Sequence, residues 1–466
     1  MKRTNLDTWI ETTERIRHLT RENLEQLQLC RLNETLKRLK DRGGFYKDYP
    51  EKLDSLADLQ KMPFTRAEDL SAHPGKFLLT SQSEVSRVIS GATSGTTGPA
   101  KRVFYTDKDT EQTIGLFTAG ISEMLAAGEK CFIAFPFTGP FGLGDLIAQA
   151  VERLGATPVK AGFGQTWGEL AALVRETQPE TYIGFPVTLL SLARMYGADL
   201  PIKRALVSGD ACPKGVMEEL EKVLGSKLYP HYGSRECGLG GAVTCPAFEG
   251  MHLRENHIIP EIIDETGKVL PDGEYGELVI TTIGADAMPL IRYRTGDYTR
   301  ILPTCPCGGV TKRLDTVSRR GGEISIEELD SALFRIPELV DHRVSFSGAL
   351  TIKAKMRSTG MEPEIYSAVQ SLYPDMQISV CTSLCQCSDR SMYPGKRHLE
   401  NKDNRQKPRP FQVGVGSFMG ILCGPQLAAH TWATRPMLQG IFSNRSGIKK
   451  MPPFEKCIWI IAGLGT

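Results

Sequence analysis

Two groups of residues in this chain have the types and spacing to do chemistry. The first lies in GATSGTTGPAKRVFYT, residues 91–106. Gly95 and Gly98 let a backbone approach an anion closely and turn its amides inward. Ser94, Thr96 and Thr97 add hydroxyl donors, and Lys101 adds positive charge. These are the demands of a phosphate cradle, although the Walker spacing is not met, because Pro99 and Ala100 separate Gly98 from Lys101. Alone, a Gly/Ser/Thr cluster is more often a plain loop. The second group is Cys245 and His252 in CPAFEGMH with Cys305 and Cys307 in CPCGG. Three thiols and one imidazole complete a tetrahedral Zn²⁺ set with no open position, which is a structural arrangement. The C-x₆-H and C-x-C spacing is irregular by zinc-finger standards.

TSGTTGPAK closely resembles the phosphate-binding signature of the adenylate-forming superfamily, which contains acyl- and aryl-CoA synthetases, luciferases and peptide-synthetase adenylation domains. Three more segments match in the expected order. HYGSRECG (231–238) looks like its Tyr-Gly-x-Thr-Glu segment, YRTGD (293–297) like its ribose-binding segment, and RLDTVSRRGGEISIEELDSAL (313–333) like its interdomain hinge. Within the superfamily the chain most resembles phenylacetate-CoA ligase and its relatives, through LQKMPFTRAEDL, GMHLRENHIIPEIID, AMPLIRYRTGD and CPCGG. The likeness covers roughly residues 20–400.

The resemblance implies a two-step reaction, in which a carboxylate attacks the α-phosphate of ATP and coenzyme A then displaces AMP to give a thioester. It assigns Ser94, Gly95, Thr96, Thr97 and Gly98 to the departing β- and γ-phosphates, with Lys101 as nearby charge. Tyr232, followed by Gly233, would stack on adenine, and Glu236 would hold Mg²⁺, a hard cation that prefers oxygen ligands. Asp297 would bind the ribose hydroxyls, Arg313 would face the nucleotide, and Asp315 would mark the hinge. Lys396, in SMYPGKRHLE, would stabilise the adenylation transition state from a mobile domain whose rotation separates the half-reactions. The chain departs from the family at Arg235, where Thr is usual; Arg235 either contacts phosphate or leaves that contact to another group. Some phenylacetate-ligase relatives carry a Cys/His cluster at the matching places, so structural Zn²⁺ joins ATP/AMP, Mg²⁺ and coenzyme A among the expected ligands. Cys381, Cys385 and Cys387 lack an obvious fourth ligand.

The elements that must position these residues read as an α/β protein. Residues 5–42 form a helical stretch with Leu24, Leu27, Leu32, Leu36 and Leu39 on one face. KCFIAFPF, ETYIGFPV and KRALVSGD read as buried strands, with the helices GDLIAQAVERLG and GELAALVRETQP between them, which implies parallel sheet. EIIDETGKVLPDGEYGELVITTI reads as a hairpin in a small β-rich subdomain. The expected organisation is a large N-terminal domain over 1–314, a small mobile α+β domain over 315–400, and a tail over 401–466 with no assignable fold. The acid would meet Phe135, Phe137, Phe141 and Phe185, favouring an aryl or short apolar carboxylate.

With 41% hydrophobic and 24% charged residues, the chain can bury a sizeable core. A net charge of +2 leaves no basic field for nucleic acid. No run approaches the about eighteen apolar residues of a membrane helix, and MKRTNLDTWIETTERIRHL lacks the apolar segment of a secretory signal. A cytoplasmic enzyme acting on small molecules is expected, with reduced thiols among its 12 cysteines and a homodimer left open. Two other readings compete: an adenylyltransferase acting on a carrier protein or cofactor, and a catalytically idle nucleotide-binding relative.

Overall fold

Between residues 130 and 232 the alternating apolar runs and amphipathic stretches fold as a parallel sheet, as their spacing predicts. In this computed structural model, residues 2–91, 101–139, 142–162, 164–197, 199–225, 227–319, 322–393 and 397–401 are described. Ser94, Gly95, Thr96, Thr97, Gly98, Phe141 and Lys396 lie outside them, as does the tail. Of two compact units, Met1–Val415 and Gly416–Thr466, only the first falls among the described residues.

Strands Tyr229–Tyr232, Arg204–Val207, Thr181–Gly184, Lys130–Ala134 and Thr157–Lys160 run parallel in that order. Ala242–Thr244, Met251–Leu253, Arg313–Leu314 and Ile301–Leu302 extend the sheet antiparallel beyond Tyr229–Tyr232. Helices cover both faces. Asp107–Ile121 and Leu143–Arg153 bury Ile114, Phe117, Leu146 and Val151 against Ile133, Ile183 and Tyr229. Trp167–Thr177, Pro186–Tyr196 and Lys214–Leu224 pack on Phe132, Tyr182, Ala205 and Val207. Successive strand residues therefore face opposite helical layers, the reason these strands read as continuous apolar runs.

The expected hairpin is present: Ile258–Ile263 pairs antiparallel with Gly276–Thr282, then Tyr293–Thr299 and Ser318–Arg319. A separate two-stranded ribbon joins Arg87–Gly91 to Lys101–Tyr105, pairing Gly91 with Lys101 and so closing the ends of the Gly/Ser/Thr loop. The N-terminal helical stretch differs from expectation by being two helices, Asn5–Glu14 and Arg21–Arg42. Arg15 takes a left-handed conformation (φ 56°), and Thr20 caps the second helix with Asn23 in a capping box. Leu24, Leu32, Leu36 and Leu39 are buried, and Leu27 partly so.

Beyond residue 314, Leu339–Ser347 and Ala349–Met356 pair antiparallel, with Ile378–Leu384 and Glu400–Asn401 parallel on the outer edges. Helix Ile326–Leu333 begins where ISIEELDSALFRI predicts one. This segment shares one apolar core with the parallel sheet's helices, in which Leu189, Val216 and Leu220 meet Leu329, Leu333 and Leu339. Ser191 donates to the Val340 carbonyl at 2.5 Å, Arg194 to the Phe334 carbonyl at 2.6 Å, and the Gly215 amide to Ser331 Oγ at 2.9 Å.

Candidate active site

Alternating burial along Lys101–Tyr105 turns Lys101, Val103 and Tyr105 inward. Lys101 Nζ donates to Glu236 Oε1 at 2.5 Å and to the Tyr293 hydroxyl at 2.8 Å, and the Tyr293 hydroxyl lies 3.4 Å from the same carboxylate oxygen. All three side chains are buried. Burial pushes the Glu236 carboxyl up, but the charges of Lys101 and Arg235 outweigh it, and the group sits below its ordinary range. Burial and the Glu236 charge push the Tyr293 phenol up, so it stays protonated and can donate. A carboxylate kept ionised inside the protein suits a hard cation or the phosphates beside one.

The turn carrying Glu236 follows strand Tyr229–Tyr232 and is tightly built. A Cβ on Gly233 would lie 2.0 Å from the Leu239 carbonyl oxygen, so only glycine allows this approach. The Leu239 amide donates to the Ser234 carbonyl at 2.8 Å. Tyr105 donates to the Arg235 carbonyl at 2.5 Å, and Thr113, on helix Asp107–Ile121, donates to the Gly238 carbonyl at 2.8 Å. Arg235 itself is half-buried and holds Glu236 ionised by charge.

Tyr232 donates to Asp297 Oδ2 at 2.9 Å, and Arg319 Nε lies 3.2 Å from Asp297 Oδ1. Strand Tyr293–Thr299 thus supplies Tyr293 to the first group and Asp297 to the second, while Tyr232 and Glu236 reach the same two groups from one turn. Lys101, Tyr232, Glu236 and Asp297 are brought together. Arg313 is not bonded to them among the described residues. Its guanidinium donates to the Glu249 and Pro303 carbonyls, the latter at 2.5 Å, and its backbone pairs with His252, so it braces the cysteine segments. Asp315 accepts from Arg300 Nε at 2.8 Å. Sequence reasoning missed Tyr293 and Arg319. Tyr293 opens the YRTGD segment whose Asp was chosen, and Arg319 faces Asp297 across paired strands, a relation only the register reveals.

The ligand atoms of Cys245, His252, Cys305 and Cys307 all lie within 4.8 Å of one another, and the four residues are buried. Cys245 Sγ is 3.7 Å from Cys305 Sγ, and Cys307 Sγ is 3.4 Å from His252 Nε2. The Ala247 and Gly309 amides donate to Cys245 and Cys307 sulfur at 3.4 and 3.3 Å, the bonds that support thiolate ligands. His252 Nδ1 lies 3.0 Å from Thr311 Oγ1, whose proton goes to Asp7 Oδ1 at 3.2 Å. Nδ1 therefore carries the ring proton and Nε2 presents its lone pair to the sulfurs. The donor set fits a tetrahedral metal.

Phe135 and Phe185 meet edge to face, with centroids 5.0 Å apart, beyond the ends of their strands. The carboxyl ends of parallel strands are where such sheets bind ligands.

A family described as AMP-binding enzyme matches residues 91–285, spanning the glycine-rich loop, the Glu236 turn and the hairpin. The solved structures that resemble the chain include 2-hydroxyisobutyryl-CoA ligase in a postadenylation state, with a TM-score of 0.68 and 20% identity over 81% of this chain and 90% of that one. The same ligase in its thioesterification state gives a TM-score of 0.60 and 21% identity over 81% and 90%. These likenesses define the fold as that of adenylate-forming enzymes. Among curated proteins, the phenylacetate-coenzyme A ligase of Pseudomonas putida is 33% identical over 68% of this chain and 76% of its own length. That of Aromatoleum evansii is 34% identical over 67% and 74%. The chain belongs to the phenylacetate-coenzyme A ligase family. It is an AMP-forming acid–CoA ligase, which activates a carboxylic acid with ATP and passes it to coenzyme A as a thioester.

Proposed function

We propose that this enzyme's acid is an aryl or arylacetic carboxylate, and that Lys101, Glu236, Tyr293, Tyr232 and Asp297 form its nucleotide site. The observation that carries the reading is the convergence of the buried Lys101–Glu236–Tyr293 group and the part-buried Tyr232–Asp297 group on one strand and one turn; the Phe135–Phe185 pair at the carboxyl ends of the parallel strands supports the aryl assignment. Asp297 accepts from the ribose hydroxyls, Tyr232 lies along the adenine, and residues 94–98 wrap the departing pyrophosphate. Glu236 holds Mg²⁺, which supplies charge neutralisation on the phosphates as pyrophosphate leaves. Lys101 keeps that carboxylate ionised and adds positive charge where negative charge accumulates. Cys245, His252, Cys305 and Cys307 hold Zn²⁺ in a structural role, joining the segment after the Glu236 turn to the one before residue 313. Residues 315–400 act as a domain carrying Lys396 to the α-phosphate. A cytoplasmic location is part of the same proposal. Among the described residues no helix is long and apolar enough to cross a membrane.

Acid-dependent ATP–pyrophosphate exchange, run with a carboxylate panel and followed by AMP release on adding coenzyme A, tests the reading. Aryl and arylacetic acids should support both steps. Exchange with aliphatic acids alone would remove the aryl assignment, and exchange with no acid would remove the ligase.

A further inference from the structure

Ser208 and His231 form a polar pair to which the nucleotide site gives no task. Ser208 follows strand Arg204–Val207, and His231 lies on the neighbouring parallel strand beside Tyr232. Ser208 Oγ is 2.8 Å from His231 Nδ1 and 3.0 Å from the His231 carbonyl oxygen. The carbonyl can only accept, so the single hydroxyl proton goes to it and Oγ accepts from Nδ1–H. That fixes the tautomer and leaves Nε2 as an acceptor. Nε2 is enclosed and has no hydrogen-bond partner among the described residues. Burial pushes the ring down to about 4, so it is neutral at pH 7.

Aromatic side chains flank the pair. The Phe117 and His231 ring centroids are 5.8 Å apart. A Cβ on Gly240 would sit 3.5 Å from Nε2 and 2.5 Å from the Leu116 side chain, so the glycine lets its turn pack closely against this edge of the ring. Gly209, next to Ser208, is exposed and has φ +82°. A Cβ there would lie 2.8 Å from both Phe135 and Phe185. The pair therefore stands beside the aromatic wall to which the preceding reading, on which this inference rests, assigns the acid.

We infer that Ser208 and His231 determine which acid is used, with His231 Nε2 accepting a hydrogen bond from a ring hydroxyl or amino group of an aromatic carboxylate. An acid without the donor leaves a buried acceptor unpaired, which discriminates far more strongly than a change of one methylene in an apolar pocket. Ser208 is a positioning residue, since it sets the tautomer and need not touch substrate.

The test is acid-dependent ATP–pyrophosphate exchange by the full chain with matched acids: benzoate, phenylacetate, and their ring-hydroxylated and ring-aminated isomers. At least one substituted isomer should exceed its parent by about 100-fold or more in kcat/KM. His231→Phe should abolish that preference by raising KM for the substituted acid far more than for its parent. His231→Gln, which retains an acceptor, should restore part of it, and Ser208→Ala should weaken it. If His231→Phe does not fold, the Gln and Ala variants decide by the same ratio. Parent acids used as well as every derivative, or an unchanged ratio in the variants, would overturn the inference while leaving the ligase intact. Exchange with no carboxylate at all would overturn both.

Discussion

Lys101 Nζ meets Glu236 Oε1 at 2.5 Å inside the protein, and neither side chain is more than 6% exposed. Breaking such a pair on one side strands the other charge. Lys101→Met should lower unfolding free energy by roughly 3–5 kcal/mol, and Lys101→Met/Glu236→Gln should recover most of it. Urea unfolding of the two variants checks this. Glu236→Gln alone should slow acid-dependent exchange by on the order of 10²–10³, as removal of one preorganised stabilising group does.

The pH dependence has a definite sign. The folded Glu236 carboxyl is depressed below its ordinary value of 4.5, so the stability it contributes is present above that value and is lost as pH falls through the folded one. Asp330 is likewise depressed below 3.8, where burial raises it but Arg397 and His342 outweigh that. His231, pushed from 6.5 down to about 4, must take up a proton on unfolding, so stability also falls as pH drops from 6.5 towards 4. Melting temperature should therefore decline below pH 6.5 and more steeply below pH 4.5, with His231→Gln removing part of the upper slope. A flat profile between pH 4 and 6.5 would contradict the burial of His231.

Much of this was readable in the residues, for physical reasons that differ by element. Strands such as Lys130–Ala134 announce themselves because both faces are buried, and Glu236 and Asp297 sit in segments whose glycines leave few alternatives. The four zinc-type ligands were legible as residue types although 60 residues separate Cys245 from Cys305. What could not be read depends on register and tautomer. Arg319 opposite Asp297 is a cross-strand relation, and the acceptor at His231 Nε2 arises from one serine proton. Arg313 shows the limit of motif position: the resemblance assigns it to nucleotide, while the local strand turns its guanidinium onto two carbonyls beside the cysteine cluster.

Asp297 is held from two sides, by Tyr232 at 2.9 Å and Arg319 at 3.2 Å. Tyr232→Phe keeps the ring and deletes one hydrogen bond, so the KM for ATP should rise by the equivalent of about 0.5–1.5 kcal/mol. Asp297→Ala should cost more, because the diol loses its acceptor and Arg319 its partner. Initial rates against ATP concentration separate the two; equal effects would count against the ribose assignment.

For the cysteine cluster, elemental analysis of purified protein should give one zinc per chain. Cys305→Ala or a strong chelator should lower the melting temperature, and the loss should be largest in variants that also lack the His252 imidazole's Thr311–Asp7 support. Because Asp7 also receives the Val310 amide at 2.7 Å, Asp7→Asn tests the supporting bonds without touching a ligand. It should weaken metal retention by about 10–100-fold. Full stability and activity in metal-free protein would remove the structural role.

Arg397, next in sequence to Lys396, is locked at both ends. Its side chain meets Asp330 at 2.9 Å, Asp341 at 3.0 Å and the His342 carbonyl at 2.9 Å, all buried, while its amide donates to Asp210 Oδ2 at 2.7 Å. Asp210 follows strand Arg204–Val207 of the parallel sheet, so one residue bonds both the C-terminal segment and the sheet's ligand-binding end. Arg397→Met strands two buried carboxylates and should destabilise the fold by roughly 3–5 kcal/mol. Asp210→Ala removes the acceptor of the Arg397 amide, and with it that of the adjacent Ala211 amide, while leaving the Asp330 and Asp341 bonds to Arg397 in place, so the fold should survive. If that amide bond sets where residue 396 sits during adenylation, Asp210→Ala should slow adenylate formation at least about tenfold, near 1.4 kcal/mol of barrier. Thioester formation from supplied adenylate should be unaffected, because that step does not call on Lys396. Equal loss in both half-reactions would mean that Asp210 acts on substrate binding and not on the placement of the lysine.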